Sequence, residues 1–193
     1  LTGSKKTTTF RTYTTTLRSP KTTKKNNPLE SGVRRIIGVD PGLASTGWGV
    51  VEQQGQRIVH IAHGSIETEA QLPRPERLFI IYSQFKKILD LYGPDEGAIE
   101  TLYFAKNVTS ALPVAEARGV VSMALAERGL AVREFTPLAI KQAVVGRGSA
   151  GKDQVQELVR LILGLESIPK PDHAADALGA ALCSAHTPIF IDA

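Results

Sequence analysis

Arg35-Ile36-Ile37-Gly38-Val39-Asp40-Pro41-Gly42 decides the fold: an apolar run that ends on one carboxylate and is stopped at once by Pro-Gly. A second run has the same form, Gly97-Ala98-Ile99-Glu100 followed by Thr101-Leu102-Tyr103-Phe104. Short apolar runs bounded by turn residues read as buried strands. Two such strands side by side put Asp40 and Glu100 together at one edge of a sheet, where their repulsion costs energy unless a cation offsets it. Metal-dependent active sites are built this way. Asp-Pro-Gly also suits successive positions of a β-turn, and a strand-end glutamate can simply be solvated, so neither carboxylate alone decides the matter.

Working outward, residues 35–40, 46–54 and 56–67 read as strands, the last two joined by a tight turn at Gln54-Gly55 into an antiparallel meander. Leu78, Ile81, Tyr82, Phe85, Ile88 and Leu89 then recur at helical spacing, between a Pro73/Pro75 start and a Gly93-Pro94 stop. A short strand at 96–100, a long helix at 108–128, a strand at 131–135 and helices near 137–145, 152–163 and 172–185 follow. Three antiparallel strands followed by βαβ units predict an α/β fold, a five-stranded mixed sheet flanked by helices. The site falls at the carboxyl ends of the first and fourth strands.

With 193 residues, 42% of them hydrophobic, the chain can bury one substantial core, placed at residues 34–187 with a short tail at 188–193. No apolar stretch approaches the roughly 20 residues that span a bilayer, and the single cysteine, Cys183, excludes an internal disulfide. Both features suggest a soluble protein of a reducing compartment. Cys183, in Ala180-Ala181-Leu182-Cys183, reads as a small buried hydrophobe. The formal charge of +4 is unevenly placed: residues 1–30 hold seven Lys/Arg and one acid, whereas residues 31–193 hold 16 basic and 18 acidic residues. Any nucleic-acid surface on the globular part is therefore a local patch. Residues 1–33, with ten threonines, read as a disordered basic leader, a tag or a processed extension. An organelle import signal is the alternative, although threonine makes a poor amphipathic helix.

A third element is His173-Ala174-Ala175-Asp176, at the start of the last helix after Pro169-Lys170-Pro171. Spacing of i, i+3 sets His173 and Asp176 on one helical face, and the alanines between them let that face approach a sheet closely. An acid in a first helical turn is also favoured by the macrodipole alone. Asp172, rotated about 100° around the helix, reads as its cap. Three carboxylates and an imidazole suit hard divalent cations, and two such ions can activate a water and stabilise the leaving 3′ oxygen of a phosphodiester.

Ile36-Ile37-Gly38-Val39-Asp40-Pro41-Gly42, Ala98-Ile99-Glu100, Phe104-Ala105-Lys106-Asn107, Val144-Val145-Gly146 with Lys152, and Ala174-Ala175-Asp176-Ala177-Leu178 together closely resemble the RuvC family of bacterial Holliday-junction resolvases. The resemblance runs from about 34 to 187. It implies a ribonuclease H-like fold, a homodimer in the bacterial cytoplasm, and Mg²⁺-dependent paired symmetric nicking of four-way DNA junctions in recombination and repair. It also implies two ions per active site, with the RuvA and RuvB branch-migration proteins as partners. The family's acidic tetrad falls on Asp40, Glu100, residue 173 and Asp176. Many relatives have Asp at the third position where this chain has His173, whose neutral nitrogen favours somewhat softer ions, so Mn²⁺ is expected to substitute for Mg²⁺.

Tyr103 and Phe104, beyond Glu100, either pack in the core or act as a stacking wedge at a junction centre, worth roughly 1–3 kcal/mol per base. Lys106, Lys141, Arg147 and Lys152 flank the motifs and suit phosphate contacts. Arg118, in Ala115-Glu116-Ala117-Arg118-Gly119, matches the family pattern and is expected to bind DNA with them. Ala111, Leu112, Ala115, Val120, Met123 and Ala124 form a stripe suited to a dimer interface or to packing on the sheet.

Other classes compete. Asp40-x-Gly42 followed by Thr46-x-Trp48-Gly49 also resembles the phosphate loop of sugar-kinase and actin-like ATPases, which need two related domains. A non-catalytic junction binder is a third reading, opposed by intact Asp40, Glu100 and Asp176. Gly146 to Lys152 fits the spacing of a P-loop, but Asp153 stands where a Ser or Thr would bind Mg²⁺.

Overall fold

A computed structural model describes residues 10–14, 32–101 and 108–188. Its strands are β1 (Phe10–Thr14), β2 (Val33–Asp40), β3 (Ser45–Gln54), β4 (Arg57–Glu67), β5 (Glu96–Glu100) and β6 (Ala131–Phe135). The helices are α1 (Arg74–Tyr92), α2 (Val108–Glu127), α3 (Pro137–Val145), α4 (Lys152–Ile162) and α5 (Asp172–His186). The strands form one mixed sheet in the order β1-β4-β3-β2-β5-β6. β2, β3 and β4 make the antiparallel meander, and β5 and β6 join parallel on the other side of β2. This is the ribonuclease H-like arrangement. Among the described residues no helix is long and apolar enough to cross a membrane.

The sheet has six strands where the sequence predicts five. Phe10–Thr14 pairs antiparallel with β4, from Phe10 opposite Ile66 to Thr14 opposite Ala62, so this part of the leader is a strand. Phe-Arg-Thr-Tyr-Thr is rich in β-branched and aromatic residues, and the outer edge of β4 offers an unpaired row of backbone donors and acceptors. That opportunity is non-local, and the polarity of the surrounding leader conceals it.

Helix ends follow local chemistry. Gly93 (φ 53°) and Gly146 (φ 77°) close α1 and α3 in the left-handed region, donating their N–H to Leu89 O and Gln142 O. Thr136 Oγ1 caps α3 by accepting from Ala139 N at 3.1 Å.

Strand alternation sorts the core onto two faces. Ile37, Val39, Trp48, Val50 and Ile99 pack with Ile81, Phe85 and Ile88 of α1 and Val121 and Leu125 of α2. Ile36, Val51 and Ala98 pack with Ile140 of α3, Val159 of α4 and Leu178 and Leu182 of α5. Asp40 shares the parity of Ile36, and Glu100 that of Ala98, so both project on the α5 face. α5 lies directly on the sheet there. A Cβ on Gly38 would overlap the Ala177 carbonyl oxygen, and one on Gly47 the His173 carbonyl oxygen. Ala174, Ala177, Ala180 and Ala181, all fully buried, keep the helix side of the contact equally thin.

Candidate metal centre

β2 delivers Asp40 from its last residue, and the turn that follows is tied to the next strand: Thr46 Oγ1 donates to Gly42 O at 2.7 Å. α5 delivers His173 and Asp176 from its first turns, held down by the glycine contacts. His173 Nδ1 lies 2.6 Å from Asp40 Oδ2; with the carboxylate ionised, the ring nitrogen is the donor. One ligand atom from each of Asp40, His173 and Asp176 can be chosen so that all lie within 4.8 Å of one another.

Glu100 stands outside that trio but within its field. Burial, with Asp40 and Asp176 adding repulsion, pushes its carboxyl up to about 7, against the opposing pull of Lys141 and Lys152. Asp176 is raised for the same reasons, burial first and then Asp40, despite Lys152 and His173. His173 is raised by its hydrogen bond to Asp40. Lys152, the first residue of α4, places Nζ 3.3 Å from Asp176 and 3.5 Å from Asp172; burial works against its charge, but the two carboxylates outweigh it and its pKa rises.

These shifts share a sign. Both carboxylates are raised first by burial and then by repulsion from neighbouring carboxylates, so ionising them together is costly even with Lys152 and His173 in place. A divalent cation offsets that cost, and carboxylates with one imidazole suit Mg²⁺ or Mn²⁺. The residues present therefore fit the expected metal.

Residues 36–184 match the family model described as crossover junction endodeoxyribonuclease RuvC. The chain belongs to the RuvC family. The crossover junction endodeoxyribonuclease RuvC of Treponema denticola is 54% identical over 147 residues, 76% of this chain and 83% of that relative. The RuvC of Chloroflexus aurantiacus is 50% identical over 153 residues, covering 79% and 93%. The solved structure of Thermus thermophilus RuvC in complex with Holliday junction substrate superposes with a TM-score of 0.75 at 35% identity, over 79% of this chain and 93% of that one.

Against the RuvC expectations, the structure brings Asp40, His173 and Asp176 together, with Glu100 beside them. Lys152 contacts the cluster directly, Lys141 acts on Glu100 through its field, and Arg147 is exposed in the turn after α3. Tyr103, Phe104 and Lys106 lie outside the described residues. Arg118 does not join the group: it is on α2, on the opposite face of the sheet, and pairs with Glu134 at 2.5 Å. Asp172 makes no cap hydrogen bond; the cap position is Pro171, which has no donor or acceptor side chain, and Asp172 pairs instead with Lys170 at 3.2 Å. The stripe on α2 divides, with Ala124 buried in the core and Leu112 and Met123 more than half exposed.

Sequence reasoning missed Arg74 and Arg77, at the start of α1, which line a cavity shared with His173. Only the fold shows that the first turn of α1 abuts the Asp40 turn. It also missed the role of Gly38, Gly47 and Gly49. Their signal was present: Gly47-Trp48-Gly49 alternates glycine with a large apolar residue, the mark of a strand with one face open to a closely packed backbone.

Proposed function

We propose that this chain is a structure-selective endodeoxyribonuclease that resolves four-way DNA junctions by hydrolysing one phosphodiester on each of two strands, with Mg²⁺ as resident cofactor. The observation that carries the reading is the convergence of Asp40, His173 and Asp176, with Glu100 raised beside them, in a chain of the RuvC family. Asp40, Glu100, His173 and Asp176 would hold two divalent ions. Bound there, such cations supply Lewis acidity and a hydroxide-like water at neutral pH.

The chain's own residues do the rest. Asp40 orients His173 through the 2.6 Å hydrogen bond. Lys152 offsets Asp172 and Asp176 and, with Lys141, lowers the cost of bringing a phosphate to an acidic site. Arg147, exposed in the turn after α3, and Lys106 are the further phosphate contacts of this reading. An aromatic of the Tyr103-Phe104 pair, Tyr103 by family position, is the wedge that holds an unpaired base. A two-fold homodimer matches the pseudo-symmetry of a four-way junction and presents two sites to two strands of like polarity; exposed Leu112 and Met123, on one face of α2, favour that interface. Mn²⁺ substitutes for Mg²⁺, and RuvA and RuvB are the functional partners.

Incubating the chain with a synthetic four-way junction, the matching linear duplex and ATP, with and without Mg²⁺, tests the reading. Metal-dependent cutting of the junction in preference to duplex is the expected result. ATP hydrolysis would place the chain with the actin-like ATPases instead, and a gel shift without cutting would make it a binder only.

A further inference from the structure

Beside the metal centre lies a cavity of about 490 Å³, bounded by the turn after Asp40, the start of α1, α2 and His173. His173 belongs both to the metal cluster and to the cavity wall, so the cavity borders the metal centre. Leu43, Leu72, Pro113 and Val114 make much of the wall apolar, and Arg74 and Arg77 enter it from the first turn of α1. The volume lies within the range of small-ligand sites.

The two arginines are held differently. Arg74 bridges to Glu116 at 3.3 Å with both side chains substantially exposed, a pairing of little strength. Arg77 has no carboxylate within 4 Å among the described residues. Its Nε donates to Thr68 Oγ1 at 2.8 Å, and that hydroxyl donates to Leu43 O at 2.5 Å. The relay fixes the guanidinium against the turn after Asp40 and, among the described residues, leaves its terminal nitrogens uncommitted. A guanidinium anchored through Nε presents two parallel N–H donors, the fork that binds a phosphate bidentately. The N-terminus of a 19-residue helix adds a favourable field for an anion.

We propose that this cavity is a nucleotide subsite for the strand being cut: Arg77 clamps a phosphate neighbouring the cleaved one, and the attached deoxyribose lies against Leu43, Leu72, Pro113 and Val114. The inference rests on the nuclease reading above and adds to it a positioning residue. Arg77 does not touch the reacting atoms; it fixes the register of the strand over the metal site.

Single-turnover cleavage of a four-way junction in which the phosphates flanking the cut are replaced one at a time by neutral methylphosphonate tests the subsite. With the wild-type chain, one neighbouring substitution slows cutting by about tenfold or more, as loss of a charge-assisted hydrogen bond does. With Arg77→Gln, the all-phosphate junction is slowed to a similar degree, and that same methylphosphonate has little further effect. Arg77→Lys, which keeps the charge without the fork, falls between the two, and it carries the test if the Gln variant melts at a lower temperature. Equal sensitivity of wild type and both variants to every methylphosphonate overturns the subsite and leaves the nuclease reading standing. A wild-type chain that cuts no junction overturns both.

Discussion

His173 Nδ1 and Asp40 Oδ2, 133 positions apart in the chain, lie 2.6 Å from each other. This contact ties the first turn of α5 to the end of β2 and sets an imidazole nitrogen among the carboxylates proposed to hold the metal. A nitrogen donor tolerates Mn²⁺ as well as Mg²⁺. Junction cutting is therefore expected to run about as fast in Mn²⁺ as in Mg²⁺, and His173→Asp to shift the ratio several-fold toward Mg²⁺. Initial cleavage rates in each metal check this; a ratio that His173→Asp leaves unchanged would remove His173 from the ligand set.

With Glu100 as a proposed metal ligand, metal binding is expected to depend on pH. Its carboxyl is pushed up to about 7 by burial and by Asp40 and Asp176, and a divalent cation needs the ionised form. Below pH 7 a proton must leave before the ion binds, so apparent Mg²⁺ affinity is expected to rise as pH climbs from 6 toward 7 and to level off above it. Titrating Mg²⁺ by calorimetry at several pH values measures the slope. Glu100→Gln should flatten it.

The closeness of α5 to the sheet rests on glycine. A Cβ on Gly38 would run into the backbone of Ala177 and come within 2.7 Å of Ala181 N. Gly38→Ala is expected to cost about 1–3 kcal/mol, a fall in Tm of roughly 3–10 °C for a chain of this size. Cutting should fall with it, because α5 carries His173 and Asp176. Thermal melting followed by circular dichroism checks the first part, and an unchanged Tm would mean that α5 is not seated as described.

A buried pair of histidines should make the fold sensitive to acid. His60 Nε2 and His63 Nδ1 lie 2.8 Å apart on the α5 face of β4. Burial holds both at about 4, and for His60 the neighbouring His63 adds to the effect. Their folded pKa values lie below the unfolded value near 6.5. Stability is therefore complete above pH 6.5 and is lost as pH falls through the window toward 4, by about 2 kcal/mol per histidine at pH 5. Urea unfolding at pH 7 and pH 5 measures the loss. Replacing His63 by Gln should remove part of the pH dependence.

The two apolar runs ending on Asp40 and Glu100 were legible as strands, and stop signals such as Gly93 and Gly146 made the helix ends legible too. His173 and Asp176 were placed on one face by spacing alone. What the sequence withheld was relational. Arg118 looks like the other basic residues until the fold puts it across the sheet, against Glu134. Phe10–Thr14 pairs because β4 has a free edge, which its own neighbours in sequence do not announce. Arg74 and Arg77 read as ordinary helix-start residues, and their cavity exists only once α1, α2 and the Asp40 turn are assembled.

The central claim is that a metal site built on Asp40, one in each copy of a two-fold dimer, cuts two strands of a junction as a pair. Labelling each strand of a four-way junction in turn at its 5′ end, and mapping the nicks made by the wild-type chain and by Asp40→Asn in Mg²⁺, addresses it directly. The account predicts nicks at symmetry-related positions on two strands of like polarity. It predicts that Asp40→Asn lowers cutting on the order of 10³-fold, the loss of several kcal/mol of transition-state stabilisation, while junction binding is retained or tightened. Nicks scattered without symmetry, or cutting by Asp40→Asn at the wild-type rate, would contradict it.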